Sequence, residues 1–395
     1  MIQSVLPVYN TFGLTFLRGE GAYLFDEHGK HYVDFACGYG VNSLGHCHPH
    51  VVTALKEQAD KVWHISNMFH HPERERLADR LTSASFADTI FFTNSGVEAW
   101  ELGLKMTRKY FSAQGKPEKY RMICISEAFH GRTMGAISAA PRSYMIDGFG
   151  PLLDGFDIVP FNDIAALEKA ITPATAAIHI ETVQGEGGIR PHSQAYIDAM
   201  VALSQKHDLL IFLDEVQCGM GRTGKLFAYE HFGFTPDLLC TAKGIGAGFP
   251  LGALFATERV AKHMVAGTHG STYGGNPLAM AVGNAVLDVM LADGFFADVE
   301  RRAQHLAEGL QNLAAQFPKL YAVHRGLGMM QGVQCQPDIP VRKLIEVMHG
   351  EGVISIPAGN NTVRILPPLI ISEKEIDEGI TAMHHASQKF METLS

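Results

Sequence analysis

Cysteine is sparse and scattered: Cys37, Cys47, Cys124, Cys218, Cys240 and Cys335 are the only six in 395 residues. Neither the density of a disulfide framework nor the Cys-x-x-Cys spacing of a zinc ribbon is present, so the usage fits a reducing compartment. Positive charge is also short, with 32 Lys+Arg against 41 Asp+Glu and a net charge of −9. That balance would repel a phosphate backbone, which argues against nucleic-acid and anionic-membrane partners. No run approaches the ~18 apolar residues of a membrane span. The first residues, Met1 to Pro7, carry no basic segment ahead of an apolar one. Together these absences predict a cytoplasmic protein. Charged residues at 18% and hydrophobic ones at 46% lie near globular averages, which excludes disorder, coiled coil and low-complexity fibre.

Glycine is plentiful, with 40 residues gathered in short clusters of the kind that let backbone approach a ligand. From about Asp88 to Ala256, short apolar runs alternate with amphipathic stretches, the pattern of a mostly parallel sheet covered by helices. The predicted strands are 89–92, 122–125, 177–180, 209–213, 238–240 and 253–256. Between two of them, residues 195–207 place Tyr196, Met200 and Leu203 on one helical face, with Pro191 as a start signal. A long helical region from Pro277 to about Phe317 is broken near Asp293-Gly294. Ser372-x-x-Glu375 reads as a capping box opening a last helix that carries Ile376, Ile380 and Met383. The first ~45 residues, with a turn at Asp26 to Gly29, are too short to bury a core alone. They are expected to pack with the C-terminal part.

Two short motifs invite a ligand and fail in context. Gly219 to Lys225 fits G-x-G-x-x-G and nearly fits a phosphate loop. Leu226, however, stands where a Mg²⁺-binding hydroxyl is needed, and Asp214 to Gln217 separates the glycines from their strand. His46, Cys47, His48 and His50 concentrate metal-ligating atoms, but no acidic base or third ligand accompanies them at a metal spacing, and Pro49 reads as a helix start. No metal is expected.

A third constellation is more informative because its parts need one another. Asp214 closes an apolar strand and so stands at the carboxyl edge of the sheet, the ligand edge of open α/β folds. A second strand, 238–240, runs into Lys243 and the glycines Gly244, Gly246 and Gly248. A lysine among small residues at a strand end is partly desolvated, which lowers its pKa and makes its amine a nucleophile toward an aldehyde. An acid nearby can hold a pyridinium nitrogen protonated. Those are the two requirements of pyridoxal 5′-phosphate (PLP). Strand 89–92 leads through Asn94-Ser95-Gly96-Val97-Glu98 into a helix whose free N–H groups suit a phosphate, although Asn94 or Ser95 alone would be an ordinary cap.

On these residues the chain resembles the class III, fold-type I PLP-dependent aminotransferases, in particular the acetylornithine and ornithine group. The likeness runs in order through Gly45-His46-x-His48-Pro49, Asn94-Ser95-Gly96-x-Glu98-Ala99, Phe129-His130-Gly131-Arg132-Thr133, Gln184 to Gly188, Leu213 to Gly224, Ala242-Lys243-Gly244, Gly270 to Pro277 and Arg364-x-x-Pro367-Pro368-Leu369. It implies an α/β fold with a large domain, residues 46–284, built on a mostly parallel seven-stranded type of sheet between helices. Residues 1–45 and 285–395 would form a smaller α+β domain. It implies Lys243 as the residue bonded to PLP, Asp214 at the ring nitrogen, Phe129 stacked on the ring and Gln217 on the phenolic-oxygen side. Ser95, Gly96 and Val97 would hold the phosphate, with Thr272 reaching in from a second subunit of a homodimer that shares its active sites. Val97 replaces the family's usual threonine, which removes a hydroxyl but not the backbone donors.

The substrate side follows from the same resemblance. Arg132 and Arg364 are nominated for carboxylate recognition, Glu186 for neutralising Arg364, and Tyr39 and Ser271 for further contacts. The implied reaction moves the terminal amino group of N²-acetylornithine reversibly to 2-oxoglutarate, giving N-acetylglutamate 5-semialdehyde and glutamate, a step of arginine biosynthesis. Tyr39 points instead toward ornithine, and succinylornithine and N-succinyl-diaminopimelate also stay open. So do the decarboxylases and aminomutases that share the fold.

Overall fold

A computed structural model describes residues 4–394; Met1 to Gln3, which open the N-terminal stretch considered above, lie outside it. The central sheet has seven strands in the order Thr89–Thr93, Gly252–Ala256, Leu238–Thr241, Leu210–Asp214, Thr175–Glu181, Arg121–Ile125 and Phe156–Val159. Strand Gly252–Ala256 runs antiparallel to both of its neighbours, and the remaining pairs are parallel. Six of these strands are legible in the sequence, each within two residues of its observed ends. The seventh, Phe156–Val159, lies at the sheet edge with a mixed burial pattern. It lacks the continuous burial of central strands such as Thr175–Glu181 and Leu210–Asp214, and so the largely apolar run that marks a central parallel strand.

Two four-stranded sheets flank this core. One joins Phe16–Glu20, Tyr23–Asp26 and His31–Asp34 to the distant strand Val353–Ile354, with Val353 paired to Val33 in parallel. The N-terminal strands therefore do complete their packing with the C-terminal part. The other sheet is antiparallel and contains Tyr321–Leu327, Met330–Cys335, Thr362–Ile365 and Ile356–Ala358. The long helical region is two helices, Pro277–Met290 and Phe295–Gln316, meeting at a 75° bend. Gly294, at φ 83°, supplies the left-handed residue that the break requires. Ser372 and Glu375 form the expected capping box. Helix Gln194–His207 buries Tyr196, Met200 and Leu203, but its start is set by Ser193, whose side chain accepts from Tyr196 N–H. Pro191 instead belongs to a short strand paired with Val183. Among the described residues no single helix is long and apolar enough to cross a membrane.

Candidate active site

Asp214 and Glu181 are the last residues of adjacent parallel strands and face each other in register. Thr93 ends a further strand, and Lys243 follows two residues after Thr241 ends another. Parallel strands thus deliver their termini to one edge, where a cavity of about 370 Å³ opens. Ser95, Gly96, Val97, Phe129, Glu186, Asp214, Gln217 and Lys243 all line it, with His130, Glu181, Val216 and the 248–251 loop completing the wall.

One end of the cavity is an anion cradle. Helix Gly96–Ala113 begins at its wall, and the Ser95 hydroxyl accepts from Glu98 N–H at 3.4 Å. The N–H groups of Gly96 and Val97 have no partner within the helix by construction, and they sit at the positive end of its dipole. A Cβ on Gly96 would stand 2.7 Å from Val216 Cγ2, so only glycine lets the chain pass there. The Val97 side chain packs on Gly131, where an added Cβ would come within 2.3 Å of Val97 Cγ2. Val97 therefore offers backbone rather than a side-chain contact.

The opposite side carries the lysine and the acid. Lys243 is held at φ 50°, a left-handed conformation that costs a non-glycine residue ~1 kcal/mol or more. Burial holds its amine below the usual lysine range; Arg364 lowers it further, while Glu186, Asp214 and Glu181 act in the opposite sense. Asp214 accepts from Val216 N–H at 3.0 Å through Oδ1. Its Oδ2 lies 2.8 Å from His130 Nδ1. Glu181 accepts from the N–H groups of Phe129 and Gly185, each at 3.2 Å, and so braces the loop that carries Phe129. Burial and the Asp214 charge raise the Glu181 carboxyl to about 7, with His130 opposing.

The rim holds a buried ion pair. Arg364 is fully buried on strand Thr362–Ile365; its guanidinium donates to Glu186 through a very short contact, to Gln217 Oε1 at 3.3 Å and to Pro357 O at 2.8 Å. Burial pushes the Glu186 carboxyl up, but Arg364, Lys243 and Arg142 outweigh it and hold the group below the usual range. Glu186 sits in the hairpin between Val183–Gln184 and Arg190–Pro191. That hairpin is tied to the small sheet by Gly359 N–H to Glu186 O at 2.9 Å and by Asn360 Nδ2 to Gly187 O at 2.7 Å. The Tyr39 ring lies 5.0 Å from the Arg364 guanidinium carbon.

Five of the expected site residues stand outside the cavity wall: Tyr39 and Arg364, which meet at its rim, and Arg132, Ser271 and Thr272. Arg132 is exposed, with its guanidinium over the rings of Phe129 and Tyr144 at 5.7 and 5.6 Å. Ser271 and Thr272 lie in a surface loop, where Ser271 Oγ accepts from Gly274 N–H at 2.9 Å. Two wall residues had no role in the sequence reading. His130 is buried against Asp214, and Glu181 occupies a strand end next to Asp214, a position where the same edge argument would have found it.

His130, His179 and Asp214 bring potential ligand atoms within 4.8 Å of one another. They make a poor metal site, because both nitrogens of His179 are already engaged, by Phe212 O and by Trp100 Nε1–H. The donor set around the cavity suits PLP: unpaired helix N–H groups for a phosphate, a desolvated amine for an aldehyde, and a buried carboxylate for a ring nitrogen.

The fold and these groups define a fold-type I PLP-dependent transferase. The family described as Aminotransferase class-III matches residues 7–387, and the chain belongs to that family. It is 50% identical over 390 residues to an acetylornithine aminotransferase of Agrobacterium fabrum, covering 98% of this chain and 97% of that protein. Against an acetylornithine aminotransferase of Mesorhizobium japonicum the figures are 49% over 391 residues and 98% of each. Among solved structures, an ornithine aminotransferase from Toxoplasma gondii superposes with a TM-score of 0.94 at 30% identity, covering 99% of this chain and 94% of that one. An N-acetylornithine aminotransferase from Stenotrophomonas maltophilia gives 0.85 at 34%, covering 98% of each.

Proposed function

We propose that this class III aminotransferase moves the terminal amino group of N²-acetylornithine to 2-oxoglutarate, yielding N-acetylglutamate 5-semialdehyde and glutamate in arginine biosynthesis. The observation that carries the proposal is the meeting of Lys243, Asp214 and the N-terminus of helix Gly96–Ala113 around one cavity, with the Glu186–Arg364 pair at its rim. Near-full-length identity of about half to relatives named for the acetylated donor selects that donor within the family.

PLP supplies an aldehyde that takes up the amino group and a ring that accepts electrons. This chain's residues do the rest. Ser95, Gly96 and Val97 would bind the phosphate, Phe129 would cover the ring, Gln217 would serve the phenolic-oxygen side and Asp214 would keep the ring nitrogen protonated. The Lys243 amine would hold the cofactor's aldehyde and, when free, would serve as the base that takes and returns the proton of the substrate carbon. Burial lowers its pKa, which favours the neutral amine that can accept a proton. Arg364, neutralised by Glu186, tolerates an amine-ended donor; when Glu186 yields, Arg364 binds a carboxylate of 2-oxoglutarate or glutamate bidentately. Arg132, at the mouth, takes the second carboxylate.

The working form in this proposal is a cytoplasmic homodimer with shared sites, in which Thr272 and Ser271 serve the partner's cavity. Support comes from exposed apolar side chains on two loops joined by Asn67, which donates to Ser271 O at 3.0 Å and Gly274 O at 2.9 Å. Trp63 is 63% exposed, Met68 89%, Phe69 65% and Tyr273 63%, more apolar surface than such neighbouring loops leave uncovered. Residues 46–284 form the cofactor-binding unit in this reading, and 1–45 with 285–395 the second; the pairing of Val353 with Val33 supports that division.

Tyr39 beside Arg364 favours ornithine as a second reading. Steady-state glutamate production from 2-oxoglutarate, with N²-acetylornithine, ornithine and their succinylated counterparts as donors, separates the two. The highest kcat/KM is expected for N²-acetylornithine; a higher value for ornithine would replace the proposal with the second reading. Turnover without any oxo acid would refute transamination itself.

A further inference from the structure

Behind His130, which lines the cavity beside Asp214, lie two buried polar side chains that the chemistry above leaves unused. Trp100 lies within helix Gly96–Ala113 and His179 within strand Thr175–Glu181, and both are fully buried. Trp100 Nε1–H donates to His179 Nε2 at 2.8 Å, and His179 Nδ1 lies 2.9 Å from the carbonyl of Phe212. A carbonyl only accepts and an indole N–H only donates, so His179 carries its proton on Nδ1 and presents a lone pair at Nε2. Burial, together with His130, keeps its pKa well below the ordinary histidine value, and the ring stays neutral.

That lone pair also faces His130, whose Nδ1 is 3.3 Å from His179 Nε2 and 2.8 Å from Asp214 Oδ2. A carboxylate only accepts, so His130 Nδ1 carries the proton it donates to Asp214; its longer contact with His179 Nε2 shares a lone pair that already takes Trp100 Nε1–H. The far nitrogen of the same ring, Nε2, is buried and has no hydrogen-bond partner among the described residues, so no hydrogen bond on that side fixes which way the ring is turned. The Trp100 ring lies against it nearly parallel, at 12° and 5.9 Å between centroids. Among the described residues, the polar contacts that orient His130 are therefore those to Asp214 and to His179 Nε2, whose direction Trp100 sets. Around this group the charges are Asp214 and Glu181 from adjacent strands, and Lys243, which interacts with both.

We propose that Trp100 and His179 are positioning residues for the cofactor's ring-nitrogen site, holding His130 as an Nδ1–H donor so that Asp214 stays a fixed carboxylate aimed into the cavity. A chain of this kind controls the site from two side chains that touch no ligand, as second-layer partners do at metal sites. The inference rests on Asp214 as the partner of the ring nitrogen.

The test compares Trp100→Phe, His179→Leu and His179→Gln with wild type and with Asp214→Asn as the reference. Two quantities are read on each protein: the PLP dissociation constant, by titrating the apoprotein and following the visible band, and the pH midpoint of that band in the PLP-loaded protein. Melting temperature is recorded alongside. Trp100→Phe and His179→Leu are expected to weaken PLP about tenfold and to move the pH midpoint in the same direction as Asp214→Asn. His179→Gln, which keeps an acceptor near the Nε2 position, should restore most of both. Lower melting temperatures with wild-type PLP affinity and an unmoved midpoint would mean that the pair only packs the core, and the inference falls while the Asp214 reading stands. If Asp214→Asn itself changes neither quantity, the reading beneath the inference is wrong.

Discussion

Glu186→Gln is the substitution that separates the two substrates. In the structure the Arg364 guanidinium is wholly buried, and its one anionic hydrogen-bond partner among the described residues is Glu186. Before a substrate carboxylate can bind Arg364, that charge-assisted contact must break. Such bonds contribute ~1.5–3 kcal/mol against ~0.5–1.5 for a neutral one, so an amide at position 186 lowers the cost of displacement by about 1.5 kcal/mol, roughly tenfold in binding. KM for glutamate and for 2-oxoglutarate should fall by about that factor, while KM for N²-acetylornithine, which does not displace Glu186, should not fall. The variant will also be less stable, since removing one partner of a buried pair costs up to ~3–5 kcal/mol; KM is therefore measured well below its melting temperature. Unchanged KM values for both glutamate and 2-oxoglutarate would refute the switch.

Two further predictions concern the frame around the site. A Cβ at Gly103 would stand 2.2 Å from Phe212 Cζ; Gly103→Ala should lower the free energy of urea unfolding by ~1–2 kcal/mol, overpacking outweighing the helix-propensity gain, and a more stable variant would contradict the packing. His192 donates from Nδ1 to Asn162 Oδ1 at 2.7 Å, stacks between Phe161 and Tyr196, and leaves Nε2 buried without a partner. Burial, aided by Arg190, lowers its pKa to about 3. The unfolded chain binds a proton there below pH 6.5 and the folded one does not, so stability is lost as pH falls from 6.5 toward 3, by ~2 kcal/mol between pH 7 and 5. Urea unfolding at the two pH values should show His192→Phe losing that much less than wild type; equal losses would mean His192 is protonated in the fold.

Much of this site was legible because its chemistry is written at strand ends. Asp214 closes an uninterrupted apolar run and Lys243 follows another, and parallel strands bring such ends together without any knowledge of side-chain packing. Glu181 obeys the same rule, standing one residue beyond the run 177–180 as Asp214 stands one beyond 209–213. Strand Phe156–Val159 escaped because an edge strand needs no continuous apolar run. Trp100 and His179 could not have been paired from sequence: one lies mid-helix, the other mid-strand, and the contact exists only because that helix crosses that strand. The pairing of Val353 with Val33 is hidden for the same reason, as two short apolar segments carry no label for their partner.

The most direct measurement is the visible absorption spectrum of the PLP-loaded protein, wild type and Lys243→Ala, during additions of N²-acetylornithine followed by 2-oxoglutarate. The account predicts a band that requires Lys243, is bleached by the donor and returns with the oxo acid. A band of equal strength in Lys243→Ala, or one that N²-acetylornithine leaves untouched, would contradict it.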